Sequence, residues 1–360
     1  ELLKTVNGGN SWVCQAYPEG LPDSEFIRDL YFVDSTTGFA FMYKWEEDGG
    51  IYKTTDGGLS WVQVLTDADG YNGKFSFVDP EHGIAYCHND NNESRIMITS
   101  DGGNSWSVVE QAEEAGICAI ALNYYNQNIV FSGGYYGCMF KSVDGGYTWE
   151  QLNYNALNGI IDDAIVFDEN NGILLTWVPY ESSSIVKTND GFNSFETILS
   201  FPYNTSCIDF PHIDSGYCVA FEYPDLLIYR TTNGGIDWQK DTIHQEFPPE
   251  YLMQIDFFNV QKGAILQYGK IRLTMDGGNT WIEKVPQENG EYQSIDYVTE
   301  NKIVIAGTFE EKTALFVSND NGETWQTDSI PSLTTPGDIR FINETDAFML
   351  TESQVFKSTD

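Results

Sequence analysis

No stretch of the chain approaches the roughly 20 consecutive apolar residues a helix needs to cross a bilayer, so no spanning helix is expected. Basic residues are scarce: 18 Lys and Arg stand against 54 Asp and Glu, a formal net charge of −36. A field of that sign repels phosphate backbones and anionic membrane surfaces. The arginines (Arg28, Arg95, Arg230, Arg272, Arg340) are scattered and form no patch, so nucleic acid is not an expected partner. Cations, neutral glycans and basic protein partners suit the field better. Histidine is rare as well, and His82, His88, His212 and His244 lack any close metal spacing, which argues against zinc chemistry. The six cysteines show no C-x-x-C pattern. Cys14, Cys87, Cys118 and Cys138 read as buried thiols, while Cys207 and Cys218 flank one hairpin and are the single pair to consider for a disulfide. Nucleophile-elbow, Walker and dinucleotide fingerprints are absent from any strand-to-helix context. No cofactor is expected, Ca²⁺ being the one ion that clustered carboxylates would suit.

What is present is core-forming material, 41% apolar and 14% aromatic, and a repeat. The start at Glu1, with many Asn and Tyr and few Lys, reads as the mature form of an exported bacterial protein, periplasmic, cell-surface or secreted. Halophilic adaptation is the alternative account of the acidity. The repeat is an eight-residue pattern at Thr5–Trp12, Thr54–Trp61, Thr99–Trp106, Ser142–Trp149, Thr188–Phe195, Thr231–Trp238, Thr274–Trp281 and Ser318–Trp325, and Ser358–Asp360 begins another copy. The closing aromatics fall 43 to 49 residues apart, the period of a four-stranded propeller blade. Each copy reads as a hairpin turn. The Asp or Asn at its third position (Asn7, Asp56, Asp101, Asp144, Asp190, Asn233, Asp276, Asp320) accepts backbone N–H groups, glycine supplies positive φ, and the final aromatic covers the hairpin. These eight side chains are therefore assigned structural roles.

Alternation between the turns predicts an all-β fold, a β-propeller in a single domain over residues 1–360. In the second repeat Lys74–Val78, Gly83–Cys87 and Arg95–Thr99 read as the first three strands. Seven blades fit between about residues 23 and 330. An eighth is expected to close from Asp338–Ile342, Ala347–Leu350 and Val355–Ser358 with Ser11–Tyr17 as its fourth strand. Leu2–Thr5 is then surplus. A seven-bladed ring with frayed terminal strands is the alternative.

The repeat, Ser/Thr-x-Asp-x-Gly-x-Thr/Ser-Trp, resembles the Asp-box, or BNR repeat, of sialidases and related propellers. That resemblance implies a box joining the third and fourth strands of each blade, away from the face that carries ligands. Sialidase chemistry itself is not expected, because Arg95, Arg230 and Arg272 all precede boxes and leave only Arg28 and Arg340 for a carboxylate-gripping triad. Xyloglucan-cleaving Asp-box enzymes are similar too, but they use a cleft between two propellers. The nearest resemblance in layout is to photosystem II assembly factor-like bacterial propellers, which act as binding scaffolds.

If the boxes occupy one face, the opposite face is aromatic and acidic. Connections between second and third strands carry Trp45, Tyr135, Tyr136, Trp177, Tyr180, Tyr223, Tyr268 and Phe309, and those between blades carry Tyr71, Tyr154, Tyr203 and Tyr251. Glu46, Glu47, Asp48, Glu181 and Asp225 lie beside them. Exposed rings stack on sugars or anchor protein interfaces. A second candidate set lies on the inner strands, where Asp209, Asp256, Asp296 and Arg340 take one equivalent position in successive blades and Asp29, Asp163 and Asp338 fall two positions earlier. Such acids bind Ca²⁺, serve as an acid–base pair, or satisfy backbone groups and waters of the channel. The resulting expectation is a non-catalytic, exported propeller that recognises a glycan or protein partner through its aromatic, acidic loop face. The alternative is a glycoside hydrolase using inner-strand carboxylates.

Overall fold

The computed structural model describes residues 2–7, 12–14, 25–44, 47–66, 72–88, 94–109, 119–134, 139–152, 159–178, 182–201, 205–222, 225–244, 252–267, 269–329 and 336–351. They form eight four-stranded antiparallel sheets and no helix, the eight-bladed β-propeller that the repeat predicts. Blade 1 comprises Glu25–Phe32, Gly38–Lys44, Glu47–Thr54 and Val62–Leu65; blade 2, Asn72–Phe77, Gly83–His88, Ser94–Thr99 and Ser107–Val109; blade 3, Ala119–Tyr124, Val130–Gly134, Met139–Ser142 and Glu150–Gln151; and blade 4, Ile160–Val166, Gly172–Val178, Ser182–Thr188 and Glu196–Phe201. Blade 5 comprises Thr205–His212, Ser215–Glu222, Asp225–Thr231 and Gln239–Ile243; blade 6, Leu252–Phe257, Gly263–Gln267, Lys270–Thr274 and Ile282–Lys284; and blade 7, Glu291–Tyr297, Ile303–Phe309, Lys312–Ser318 and Gln326–Ser329. Blade 8 joins the chain's two ends, Pro336–Phe341 and Ala347–Thr351 pairing with Leu2–Thr5 and then Val13–Cys14. Pro18–Asn204 forms one compact unit of blades 1 to 4, and Glu1–Tyr17 with Thr205–Asp360 forms another of blades 5 to 8.

Blade 8 corrects one expectation. Leu2–Thr5 is its third strand, hydrogen-bonded to Ala347–Leu350, and not a surplus one. The reason lies in the repeat: every other turn follows a third strand, so the turn that begins at Thr5 needs the same strand before it. Val355–Ser358, assigned that place from sequence, lies outside the described residues.

Within each unit the core sits between blades. One cluster joins Phe39, Phe41 and Ile51 of blade 1 to Phe75, Ala85 and Met97 of blade 2, and another joins Leu266, Ile271 and Leu273 of blade 6 to Ile295, Ile305 and Phe316 of blade 7. Second strands packed on both sides accordingly read as unbroken apolar runs, such as Gly172–Leu175 and Ile303–Ala306, while fourth strands such as Val62–Leu65 are half exposed. An aromatic that ends the first strand lies over the glycine that begins the second. Side chains at Gly38, Gly83 and Gly263 would run into the rings of Phe32, Phe77 and Phe257.

Register also corrects the cysteine expectation. Cys207 pairs with Val219 and Cys218 with Ile208, so alternation sends the two sulfurs to opposite faces of the sheet, and no disulfide joins them. Burial raises the Cys218 thiol well above its ordinary range.

The eight-residue turns repeat one hydrogen-bond scheme. In blade 1, Thr54 Oγ1 donates to Asp56 Oδ1 at 2.8 Å and accepts from Gly58 N at 2.8 Å, while Ser60 N donates to Asp56 Oδ1 at 2.9 Å. The scheme recurs around Asp101, Asp144, Asp190, Asp276 and Asp320. Each of these turns is also tied to its own blade's first hairpin, as Gly57 N is to Thr36 O at 2.7 Å. Asn7 accepts from Thr5 Oγ1. In blade 5 the carboxylate has moved: Asn233 Nδ2 donates to Asp237 Oδ2 at 3.0 Å, reversing the usual bond between hydroxyl and carboxylate.

These bonds make the turns sensitive to acid. The hydroxyl and N–H of Ser105 hold the Asp101 carboxyl down at about 2, and those of Thr324 do the same for Asp320, also about 2. A carboxylate with a lowered folded-state pKa stabilises the fold above its unfolded value, near ~3.9, and loses that contribution as pH falls through the folded value. The melting temperature is therefore expected to be flat from neutral pH to about pH 5 and to fall between about pH 4 and pH 2. The double variant Asp101→Asn, Asp320→Asn is expected to melt lower at neutral pH yet to lose less on acidification. Melting followed by circular dichroism across pH checks both, and equal acid slopes for the two proteins would refute the assignment.

Candidate functional site

Antiparallel pairing places the repeated turns and the first hairpins at one end of each blade, the turn face, and the remaining connections at the other end, the loop face. On the turn face, cations cross from one blade to the next. Lys53, which precedes the blade 1 turn, lies over the Phe39 ring at 5.9 Å and donates to Asn104 Oδ1 of blade 2 at 2.8 Å. Lys141 lies over Phe131 at 5.3 Å and reaches Glu169 O of blade 4 at 3.3 Å. Lys4 lies over Phe348 at 5.2 Å, and Arg230, opposite Tyr217, donates to Gly277 O of blade 6 at 3.3 Å. Lys262 joins the same pattern through Glu300 of blade 7 at 2.8 Å. These cation–aromatic pairs were missed in the sequence, although a Lys or Arg before the turn's Ser or Thr, set against an aromatic near the start of the second strand, is a readable signal.

The inner-strand acids act between blades. Asp209 Oδ2 accepts from Phe257 N at 2.7 Å, Asp256 Oδ2 from Tyr297 N at 3.2 Å, and Asp296 Oδ2 from Phe341 N at 2.8 Å. Each carboxylate thus holds the first strand of the following blade. Asp29 makes the same bond two residues earlier, to Phe75 N at 2.8 Å. Asp163 accepts from its neighbour Ala164 N. Arg340 is exposed on the first strand of blade 8, and the side chain of Asp338 lies outside the described residues. The acids are distributed one to a blade, and among the described residues no three His, Cys, Asp or Glu stand where they would hold a metal ion.

Most aromatic candidates, namely Trp45, Tyr71, Tyr135, Tyr136, Tyr154, Tyr180, Tyr203, Tyr223, Tyr251 and Tyr268, lie outside the described residues, as do Glu46 and Glu181. Trp177 and Phe309 are placed in strands and not in connections, because the paired alternation runs further than the sequence suggests. Trp177 pairs with Ile160 and Ser183 in blade 4 and is partly buried, and Phe309 ends the second strand of blade 7. Asp225 begins the third strand of blade 5 and meets His244 Nδ1 at 2.7 Å.

Blade 7 shows the loop face in detail. A cleft of about 460 Å³ opens there between the segment entering the blade and the connection from its second to third strand. Glu288, Glu291, Glu310 and Glu311 line it with Phe309, and no Lys or Arg does. Glu291 accepts from Thr308 Oγ1 at 3.0 Å, and the Tyr292 hydroxyl bridges the N–H and C=O of Gln287 at 3.0 Å each, fixing the entering segment. Glu310 and Glu311 form a two-residue hairpin turn at φ 52° and 62°. Such positions favour Asn and Gly, and a larger residue there costs about 1–2 kcal/mol.

No family model matches the chain, and no curated protein matches it in sequence. Solved structures do. YCF48 bound to D1 peptide matches 97% of this chain and 100% of its own, at 18% identity and a TM-score of 0.59. YCF48 from Cyanidioschyzon merolae matches 84% of this chain and 98% of its own, at 14% identity and a TM-score of 0.56. The GH74 enzyme of Niastella koreensis matches 87% of this chain at 14% identity and a TM-score of 0.51, but over only 60% of its own length. At these identities the likeness is one of fold, and the chain is a β-propeller similar to the YCF48 structures.

Proposed function

We propose that this propeller is a non-catalytic binding scaffold, built on Asp-box turns, that holds a basic protein segment on its loop face. The observation that carries the reading is the blade 7 cleft, where four glutamates and Phe309 face a common space without a cation among them. Two of those glutamates occupy left-handed positions that Asn or Gly would fill at lower energy, as expected where a side chain is kept for what it contacts. The net charge of −36 adds long-range attraction for a basic partner, and a fold neighbour that matches 97% of this chain carries a bound peptide. The hydrolase alternative is weaker, because Asp209, Asp256 and Asp296 each commit an oxygen to a backbone amide of the next blade.

A fluorescent Lys- and Arg-rich peptide titrated against the protein tests this. Binding is expected to weaken with salt and to fall roughly tenfold or more in the Glu310→Lys, Glu311→Lys variant, whose two reversals act at close range. Absence of peptide binding, or binding the double variant leaves intact, would overturn the proposal.

A further inference from the structure

A second cleft, of about 430 Å³, lies on the turn face between blades 5 and 6. Its chemistry follows from one exchange within the repeat. In blades 1 and 2, Lys53 and Asn104 bridge the junction, Nζ to Oδ1 at 2.8 Å, while Asn104 Nδ2 donates to Asp101 O. Arg230 and Asn279 hold the corresponding positions in blades 5 and 6. Asn279 Nδ2 keeps the matching bond, to Asp276 O, but Arg230 donates to Gly277 O instead, and Asn279 is left lining the cleft. Among the described residues, one alone of the five guanidinium N–H donors makes a hydrogen bond, although the side chain is only 14% exposed. Nε lies 3.7 Å from Asp241 Oδ2, beyond hydrogen-bond reach.

The rest of the lining selects a ligand class. Gln239, Gln261, Asn279, Thr232 and Ser215 present amides and hydroxyls. The two lining carboxylates are held within their own turns, Asp237 by Asn233 Nδ2 and Asp276 by Thr280 Oγ1 at 2.7 Å. An anion entering here meets Asp237 and Asp276, with Asp241 beside the guanidinium, and a cation meets Arg230. A neutral polyhydroxyl group suits both signs, since each hydroxyl donates to one neighbour and accepts from another. Val260, 37% exposed, supplies an apolar wall for a ring's C–H groups. The volume falls within the ~300–1,000 Å³ of small-molecule sites. We propose that the cleft between blades 5 and 6 binds a neutral sugar residue, gripped by Arg230 and the surrounding amides.

The test is saturation-transfer NMR and calorimetry with methyl β-D-glucoside, methyl β-D-galactoside and methyl α-D-mannoside, with acetate and methylammonium as charged probes. At least one methyl glycoside is expected to bind and neither charged probe to compete. Arg230→Lys restores the residue that bridges to asparagine in blades 1 and 2, and is expected to weaken glycoside binding roughly tenfold or more with an unchanged melting temperature. Gln261→Ala, at an exposed position, should weaken it about threefold without any effect on folding. The Glu310→Lys, Glu311→Lys variant should bind the glycoside normally, which separates this site from the peptide site. Failure of all three glycosides to bind, binding that Arg230→Lys leaves unchanged, or preference for acetate or methylammonium would each overturn the proposal.

Discussion

Replacing Phe39 with alanine is expected to destabilise the fold by about 3–5 kcal/mol, the loss typical of a fully buried aromatic. Phe39 is 0% exposed and belongs to blade 1, yet the rings of Phe75, Phe77 and Trp106 that it packs against belong to blade 2. It stacks on Phe77 with ring centroids 4.6 Å apart and meets Trp106 edge-on at 6.0 Å. The bare backbone of Gly103 leaves room for its ring, for a methyl group there would collide with it. Truncation opens a cavity at the junction of two blades, and it removes the ring over which Lys53 lies on its way to Asn104. Phe39→Leu, which refills part of that space, should recover about half of the loss. Leu59→Ala, at a position 53% exposed, should change stability by no more than ~0.5 kcal/mol. Urea denaturation compares the three, and a Phe39→Ala loss no larger than that of Leu59→Ala would refute the packing argument.

The second large effect is expected at Asp296. Its Oδ2 accepts the N–H of Phe341 at 2.8 Å, from the first strand of the next blade. A hydrogen bond to a charged acceptor contributes about 1.5–3 kcal/mol, and its removal leaves an amide without a partner. Asp296→Ala is therefore expected to lower stability by about 2–3 kcal/mol, and Asp296→Asn, which keeps an acceptor of nearly the same shape, by less than half of that. The discriminating measurement is amide hydrogen exchange. Protection of the Phe341 N–H should fall in the alanine variant and largely survive in the asparagine variant. Unchanged protection in both would mean that the carboxylate does not hold the two blades together.

How much of this was legible in the sequence depended on how local the signal was. The eight-residue turns close on themselves within a few positions, so their spacing predicted eight blades, and alternation placed the first three strands of blade 2 to within two residues. Leu2–Thr5 was misplaced, although the turn that follows it calls for a third strand before it, because its partner Ala347–Leu350 is remote in sequence and Val355–Ser358, close to that partner, offered a competing candidate. Alignment of the inner strands placed Asp209, Asp256 and Asp296 at one level, but whether such acids converge on an ion or bond the next blade depends on side-chain direction, which alignment does not carry. The Glu310–Glu311 turn was missed for a different reason: charged residues at left-handed positions do not read as a two-residue turn. The clefts belong to junctions between segments distant in sequence, and the Lys-to-Arg exchange at position 230 acquires meaning only beside Asn279.

The place of Leu2–Thr5 has a consequence for the order in which the molecule assembles. Thr5 pairs with Ala347, so during synthesis Leu2–Thr5 waits for a partner made more than 300 residues later. At about 5–20 residues per second that delay is roughly 20–70 s. For that time Leu2–Thr5 and Val13–Cys14 have only each other, and a two-stranded ribbon is marginal in water. Pro18–Asn204, by contrast, is one continuous segment with blades 1 to 4 complete, available to fold while the other strands are still being made. The unit made of blades 5 to 8 is finished only when Leu2–Thr5 meets Ala347–Leu350, which makes Leu2–Thr5 the strand most exposed to mispairing with another nascent copy.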